Sequence, residues 1–424
     1  LTEREWAMSL ALGIARGAVW RSKAVWGEMV AHLEKACLDE RSSPFTPLTS
    51  RAAHSALSDL LDLLEHAMAN ALKRRNDTVE TGAAAAVVAN MYLQAFNRIE
   101  RAEAQLMVIA EVERVVLGRF GTKLSGAAWD PVLDLLSSVA ASTAAGRYSQ
   151  HLPRLVLSCV TRAAEFDAIL SARNHSALLS SFASLARVTS DAALARQALG
   201  LLVVTARRLS CAAGGDIFAS GTAAAASAWQ TGLHELSVLA AADTAPEVQA
   251  GATAAVAELM WLPVDGARNC TSVMAKLAGD AETSANGRAT ARLLASGLEK
   301  VVLPLCDRLG SGTSPYMAHD MGQGDHGERP GAALLTREIA PLVAACLGCL
   351  RGNGAAVGSA DKEDEASAES LWAQVLCSTR TRVATAPDPA SVLAAANAVC
   401  EIAKASGALS SAAQGQVLCA QLRV

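Results

Sequence analysis

The residues that could do chemistry in this chain are concentrated in one glycine-rich stretch. His319, Asp320, Asp325 and His326 lie within eight residues, and imidazole and carboxylate groups are zinc ligands. The overlapping hexapeptide GQGDHG at residues 322–327 has the glycine spacing of a dinucleotide-binding loop. Such a loop must follow a strand and open a helix, and the flanking sequences SPYMAHD and ERPG meet neither condition. The glycines also leave the four ligand candidates without rigid support, so we expect a solvated loop with no metal or cofactor.

Two cysteines form a CxxC pair, CLGC at residues 346–349. A structural zinc site needs a second pair, and a redox motif needs a thioredoxin-like strand–helix setting. This pair lies in the apolar run PLVAACLGCL, so we interpret Cys346 and Cys349 as core residues. Ten cysteines in 424 residues are too dilute for a disulfide scaffold, which favours a reducing compartment. No Ser-His-Asp set and no paired carboxylates stand out, so the chain is predicted to be non-catalytic.

Tryptophans and basic residues could mark a binding surface. Trp is enriched in interface hot spots, but at helical spacing it is more often a core residue, and that is our interpretation here. The basic stretch LKRRN at residues 72–76 is interpreted as a helix end. A net charge of −4 gives no electrostatic indication of nucleic acid as a partner. The seven tryptophans are Trp6, Trp20, Trp26, Trp129, Trp229, Trp261 and Trp372.

The elements that must position these residues are predicted to be helices. Apolar residues make up 51% of the chain but aromatic residues only 4%, so Ala and Leu, the best helix formers, supply the bulk. The leucines of residues 57–64 keep the i, i+3, i+4, i+7 spacing of one buried helix face, as do apolar residues at 129–136. No stretch alternates with a period of two. Further helices are predicted at 152–160, 176–187, 192–209, 223–241, 245–261, 283–309, 332–351, 366–383, 389–406 and 410–422.

This pattern predicts an all-α fold, an α-solenoid of degenerate HEAT- or armadillo-like helical pairs, with a compact helical bundle as the alternative. We expect a repeat array over residues 1–310, a flexible loop at 311–331, and further repeats over 332–424. A disordered insertion at about 352–367 is predicted from its glycines and its charge run DKEDE. No window of 18 residues is continuously apolar, so no membrane span is predicted.

The stretch KLSGAAWDPVLDLLSSVA at residues 123–140 resembles the N-terminal helical-repeat region of the tuberin family. Four other segments resemble that region in the same order, and the resemblance covers residues 16–308. The stretch is interpreted as one helix with Trp129 near its start. One departure from the family is Pro131, which can occupy the first helical position with Asp130 as its cap, and the helix would then be shorter. The four segments are RGAVW with VWG (16–27), HLPRLVLSCVTRAAEFDAILSARN (151–174), AWQTGLHELSVL (228–239) and NGRATARLLASGLEKVV (286–302).

The resemblance implies a function. Members of the tuberin family are GTPase-activating proteins for a small Ras-like GTPase in TOR signalling, and their solenoid binds the coiled coil of hamartin. This chain would then be a scaffold, cytoplasmic or peripheral on endomembranes, that meets the GTPase through a domain outside these residues. Nothing in the chain matches the family's catalytic domain, so the resemblance assigns it no catalytic residue.

Other scaffolds and one class of enzyme remain as alternatives. The helices at 120–136 and the run VVLPLCDRL at 301–309 are also similar to solenoids of Sec7-type and Mon2-like proteins in Golgi–endosome traffic. An importin-like transport receptor would be expected to have a more acidic surface than a net charge of −4 provides. A helical enzyme such as a terpene cyclase needs a DDxxD metal motif on a helix, and the sequence has none.

Overall fold

Every element that the structure describes is helical. The computed structural model describes residues 102–124, 126–144, 151–166, 172–188, 190–211, 223–242, 244–264, 284–310, 339–350 and 362–385, with shorter pieces between 58 and 96 and between 399 and 403. No strand occurs in these ranges, and the all-α prediction is confirmed.

Eleven α-helices have bounds within the described residues. Helix α1 continues into a π-helix at Val112–Phe120 and a 3-10 turn at Gly121–Lys123, and a second π-helical segment, Leu298–Val302, joins α8 to α9. The α-helices are α1 Ala102–Glu111, α2 Gly126–Ala144, α3 His151–Ala164, α4 Ala172–Ala186, α5 Ala192–Cys211, α6 Ala223–Ala241, α7 Pro246–Trp261, α8 Ser284–Gly297, α9 Leu303–Gly310, α10 Ala340–Leu350 and α11 Lys362–Thr385.

Apolar periodicity located most of these helices correctly. The windows predicted at 223–241 and 245–261 match α6 and α7 to within a residue, and the window at 283–309 matches the continuous run from α8 to α9. At the start of α7, Pro246 occupies the first helical position, where its missing N–H costs little. The window at 410–422 and most of the window at 389–406 lie outside the described residues.

The chain divides into two compact units, residues 1–194 and 195–424, with the boundary in the first turn of α5. In the first unit, α2 packs against α3 and α4 around the fully buried Trp129 and Phe182. In the second unit, α6 packs against α7, while α8 and α9 pack against α11. Trp229 is fully buried there and donates its Nε1–H to the carbonyl of Leu259 at 2.8 Å.

Close helix packing in the second unit depends on a glycine. A Cβ built on Gly297 of α8 would lie 2.7 Å from the six-membered ring of Trp229, and the indole is fixed by its hydrogen bond. That distance is well inside van der Waals contact, so only glycine lets α8 approach α6 this closely without displacing the tryptophan. Alanine and glycine therefore bring these helices close together in a core with few aromatic residues.

The prediction that Pro131 starts a helix is wrong. Helix α2 begins at Gly126 and has Pro131 in its sixth position. Burial explains the earlier start, because Ala128 and Trp129 are fully buried and share one helical face with Val132 and Leu133. Proline has no backbone N–H to donate inside a helix. Because Pro131 lies so near the N-terminus of α2, its presence leaves only one carbonyl of the first turns without a donor.

The prediction that residues up to 367 are disordered is also wrong where the structure describes them. Helix α11 begins at Lys362, inside the run DKEDE, and Asp364 and Ala368 are both 1% exposed. The sequence indicated a solvated charge run, but the Asp364 carboxylate accepts a hydrogen bond from Nε of Arg292 on α8. Residues 352–361 and the loop predicted at 311–331 lie outside the described residues.

Candidate protein-interaction surface

The chemistry predicted in the glycine-rich loop falls on residues whose structure is not described. His319, Asp320, Asp325, His326 and the GQGDHG motif at 322–327 all lie there. Across the described ranges, no group of three or more His, Cys, Asp or Glu side chains could hold a metal ion. None of the helices in those ranges is both long and apolar enough to cross a membrane.

The cysteine pair of α10 lies against the core. Cys346 is fully buried and Cys349 is half-buried, which agrees with their interpretation as packing residues. Burial, followed by the nearby Asp364 carboxylate, raises the pKa of the Cys349 thiol. Burial likewise raises the pKa of Cys159 on α3 far above its usual range. A reactive thiol needs a lowered pKa, whereas the surroundings of Cys159 and Cys349 raise theirs and so disfavour the nucleophilic thiolate.

Three of the seven tryptophans are confirmed as core residues. Trp129 and Trp229 are 0% exposed and Trp261 is 4% exposed, while Trp372 on α11 is half-buried. The ring of Trp129 packs against Phe166 with centroids 5.2 Å apart. The remaining tryptophans, Trp6, Trp20 and Trp26, and the basic stretch at 72–76 are outside the described residues. The described tryptophans therefore hold helices together and offer no exposed anchor.

An acidic side chain and two arginines form a cluster at the π-helix of the first unit. Glu65 accepts hydrogen bonds from Arg114, at 2.6 Å, and from Arg119, and Arg114 also binds Glu111 at 2.6 Å. Burial alone would raise the pKa of Glu65, but these bonds and the arginine charges outweigh it and lower the pKa. The adjacent Tyr92 is buried, and burial and then the Glu111 charge raise the pKa of its phenol. The cluster is internally neutralised, which favours a structural role.

Two charged bridges connect the alternate helices α5 and α7 of the second unit, and both join residues at the same separation along the chain. Arg196 on α5 pairs with Glu247 on α7 at 3.1 Å, and Arg207 pairs with Glu258 at 2.9 Å. Both pairs join residues 51 positions apart, and the second pair lies 11 residues further along both helices. Helices α5 and α7 therefore run in the same direction and in register, as equivalent helices of successive pairs do.

The same relation recurs between α8–α9 and α11. Arg292 binds Asp364, the Ser370 hydroxyl donates to Glu299 at 2.7 Å, and the Ser378 hydroxyl donates to Asp307. These bonds join residues 71 or 72 positions apart and advance together along both helical runs. The two runs are therefore parallel as well.

Alternate helices of the first unit are linked in a similar way. Ser158 on α3 donates to Glu113 of the π-helix at 2.5 Å. Arg173, the second residue of α4, pairs with Asp130 and Asp134 near the start of α2 at 3.6 and 3.2 Å. The bridges of the first unit and those between α5 and α7 span 39 to 51 residues, which agrees with a helical pair as the repeating element. The bridges between α8–α9 and α11 span 71 or 72 residues, because a longer stretch of chain lies between those helices.

The exposed face of α5 carries one large hydrophobic side chain. Val204 is 64% exposed and is the one large hydrophobic residue exposed in the described ranges. A Cβ added to Gly200, one turn earlier, would meet nothing within 4 Å, as is usual at a helix position that faces solvent. The side of α5 that faces α7 is marked by Leu199, which would lie 2.9 Å from a Cβ on Gly251, and Val204 lies beyond the two arginines on the other side.

Sequence reasoning missed the bridges between α5 and α7 although a signal for them is present. The residues RQALGLLVVTAR in one helix and EVQAGATAAVAE in the next-but-one helix place two arginines and two glutamates at matching positions. Opposite charges that recur 51 residues apart indicate that the two helices are neighbours. The apolar residues between these charges, however, have the pattern of residues that are buried in each helix. Three-dimensional packing was needed to show that Val204 faces outward.

Comparison with known proteins supports the fold and no particular family. No family model matches the chain, and no curated protein matches it. Among solved structures, the chain is similar to a "Circular tandem repeat protein with novel repeat topology and enhanced subunit contact surfaces". The two share 12% identity with a TM-score of 0.58, over 98% of this chain and 90% of that one. The parallel bridges between alternate helices and this similarity together show an all-α solenoid of tandem helical pairs.

Proposed function

We propose that this chain is a non-catalytic scaffold that binds a protein partner along its helical repeats. The observation that supports the proposal is the stacking of parallel alternate helices in register, as the Arg196–Glu247 and Arg207–Glu258 bridges show for α5 and α7. Stacked helical pairs present extended surfaces, which helical-repeat proteins commonly use to bind other proteins. The raised pKa values of Cys159 and Cys349 also weigh against thiol catalysis at those positions.

The finer proposal is a tuberin-like role, in which the partner is a hamartin-like coiled coil and a small Ras-like GTPase is engaged by a domain outside these residues. Its support is the sequence resemblance at residues 123–140 and 228–239, together with a fold suited to a scaffold. In these two stretches, Trp129 of α2 and Trp229 of α6 are fully buried, as core residues of a helical repeat should be.

A binding measurement tests the tuberin-like role. The whole chain is immobilised and exposed to a hamartin-like coiled coil at micromolar concentration, with an unrelated leucine-zipper coiled coil as the control. Retention of the first and not of the second is the expected result. Equal retention of both, or retention of neither, contradicts the tuberin-like role.

The second candidate is a scaffold of the Sec7-type or Mon2-like proteins of Golgi–endosome traffic. It is favoured by the run VVLPLCDRL, which forms the end of the π-helical segment and most of α9, with Leu305 and Cys306 buried. The two candidates predict different neighbouring domains in the parent transcript. A GTPase-activating domain downstream supports the first candidate, and a Sec7 domain upstream supports the second.

A further inference from the structure

We propose that Glu65, by binding Arg114 and Arg119 together, holds residues 112–120 in a π-helical register, and that the segment adopts an α-helical register when these two bridges are released. We call Glu65 with its two arginines the Glu65 clasp. Such a change of register is a conformational device within the scaffold, and it requires no partner. Its support comes from the spacing of the arginines, the spacing of the buried residues and the close fit at Gly118.

Two arginines five positions apart meet at one carboxylate. Glu65 accepts a hydrogen bond from Arg114 at 2.6 Å through one oxygen and one from Arg119 through the other. In a π-helix the backbone hydrogen bonds join residues five apart, so Arg114 and Arg119 lie one above the other on the same side. In an α-helix, residues five apart point about 140° away from each other. A single carboxylate that binds both arginines therefore favours the π-helical register.

The buried residues of the segment fit the π-helical spacing and also allow an α-helical one. Val112 with Leu117, and Val115 with Phe120, form two pairs of buried residues at an interval of five. Val112, Val116 and Phe120 follow one another at intervals of four, as neighbours on one face of an α-helix do. The apolar residues therefore suit both registers, and the polar contacts decide between them.

The backbone of the π-helix is closely fitted at Gly118. A Cβ added there would lie 3.2 Å from the carbonyl oxygen of Glu113, which is tighter than most contacts that Cβ atoms make. Glu113 lies five residues earlier, so its carbonyl is the one that the N–H of residue 118 reaches in a π-helix. Alanine is thus disfavoured at this position in the π-helical register. In an α-helix alanine is the most favourable residue and glycine one of the least, so one substitution here reports on the register.

Release of the Glu65 clasp would reach the core of the first unit. Gly121 follows the π-helix directly, and a Cβ added to it would overlap the ring of Phe166. Phe166 packs in turn against the fully buried Trp129, with ring centroids 5.2 Å apart. A change of register rotates the residues that follow the segment, so it would move Gly121 relative to Phe166 and alter the packing on α2.

A reversal of sign in urea unfolding of the full chain tests the proposal. In the unmodified chain, Gly118→Ala should raise the unfolding equilibrium constant about fivefold, because the new methyl group crowds the Glu113 carbonyl. Glu65→Gln removes the charge that binds both arginines but keeps the shape of the side chain. In that background, Gly118→Ala should lower the unfolding constant about threefold through helix propensity. An effect of the same sign and size in both backgrounds would overturn the proposal.

The matched control is Asp134→Asn. Asp134 also pairs with an arginine of the first unit, Arg173 at 3.2 Å, but it lies on α2 and outside the π-helix. Gly118→Ala should remain destabilising in this background. A reversal of sign here as well would contradict a specific role for Glu65.

Crystal structures of the unmodified chain and of Glu65→Gln give the direct result. We expect the N–H of Gly118 to donate to the carbonyl of Arg114, four residues earlier, in Glu65→Gln, and to that of Glu113 in the unmodified chain. If Glu65→Gln does not fold, Arg119→Gln removes one of the two bridges and replaces it in both experiments. A π-helix retained at residues 112–120 after either substitution would overturn the proposal.

Discussion

Two pairs of parallel helices in the second unit are bridged in the same way but in different surroundings. Between α5 and α7, both arginine–glutamate bridges lie at the surface, with every side chain at least half exposed. Between α8–α9 and α11, the Arg292–Asp364 bridge is partly enclosed, with Asp364 1% exposed and Arg292 34% exposed. Arg288 lies 3.9 Å from the second oxygen of the same carboxylate.

The difference shows that one repeat geometry can carry bridges that contribute very differently to stability. An exposed bridge between long side chains contributes little because water and salt screen it. A buried carboxylate must keep its cationic partners, because leaving a charge unpaired in the interior is costly. The buried bridge therefore holds the first turn of α11 against α8, whereas the exposed bridges mark a surface.

The largest effect is expected from Asp364→Ala. Removing the buried carboxylate leaves Arg292 and Arg288 without their shared partner, and we expect the free energy of unfolding to fall by about 3 kcal/mol. Urea denaturation of the whole chain measures the change. Glu365→Ala, at the next and exposed position, is the control and should change stability by less than about 0.5 kcal/mol. Equal effects of the two substitutions would contradict a structural role for Asp364.

A smaller loss is expected from Gly297→Ala, which tests the close packing of α8 on α6. The new methyl group would lie 2.7 Å from the Trp229 ring, so we expect a loss of about 1–3 kcal/mol in thermal or urea unfolding. Trp229→Phe removes the ring atoms that would clash. The double variant should therefore lose less than the sum of the two single variants, and simple additivity would contradict this packing.

The opposite sign is expected from Gly200→Ala on the exposed face of α5. The position is within a helix and a Cβ meets no neighbour, so alanine should stabilise the chain by about 0.5–1 kcal/mol through helix propensity. The measurement is the midpoint of urea unfolding. Destabilisation would show that another group occupies the space beside Gly200 and would contradict its exposed position.

The smallest effect is expected from Arg207→Ala. Its bridge to Glu258 is exposed at both ends, so stability should change by less than about 0.5 kcal/mol at moderate salt. The change should shrink further as the salt concentration rises, because salt screens exposed charges. A loss of several kcal/mol in denaturant titrations would place this bridge with the buried one and remove the contrast between the two regions.

The sequence predicted the helices of this chain better than it predicted the polar contacts between them. Apolar periodicity is a local property, and it located α6, α7 and the run from α8 to α9 almost to the residue. The start of α11 was missed because its acidic first turn depends on Arg292, which lies 72 positions away in the chain. Pro131 was misassigned for a related reason, since burial of Trp129 against the other helices outweighs a local cap signal.

The exposure of Val204 was not predicted for a different physical reason. Val204 and its neighbours have the apolar composition of a core helix, and only the packing of α5 on its neighbours decides which of them face water. The zinc-ligand candidates and the nucleotide-binding motif at 319–327 are outside the described residues. Their interpretation as a solvated loop therefore stays a prediction.

A pair of double-mutant cycles tests the contrast between the two bridges most directly. One cycle combines Arg292→Ala with Asp364→Ala, and the other combines Arg207→Ala with Glu258→Ala, with urea unfolding as the measurement. We predict a coupling energy above about 2 kcal/mol for the buried bridge and below about 0.5 kcal/mol for the exposed one. Equal coupling energies, or a larger value for the exposed bridge, would contradict the conclusion that the buried bridge stabilises the fold and the exposed one contributes little.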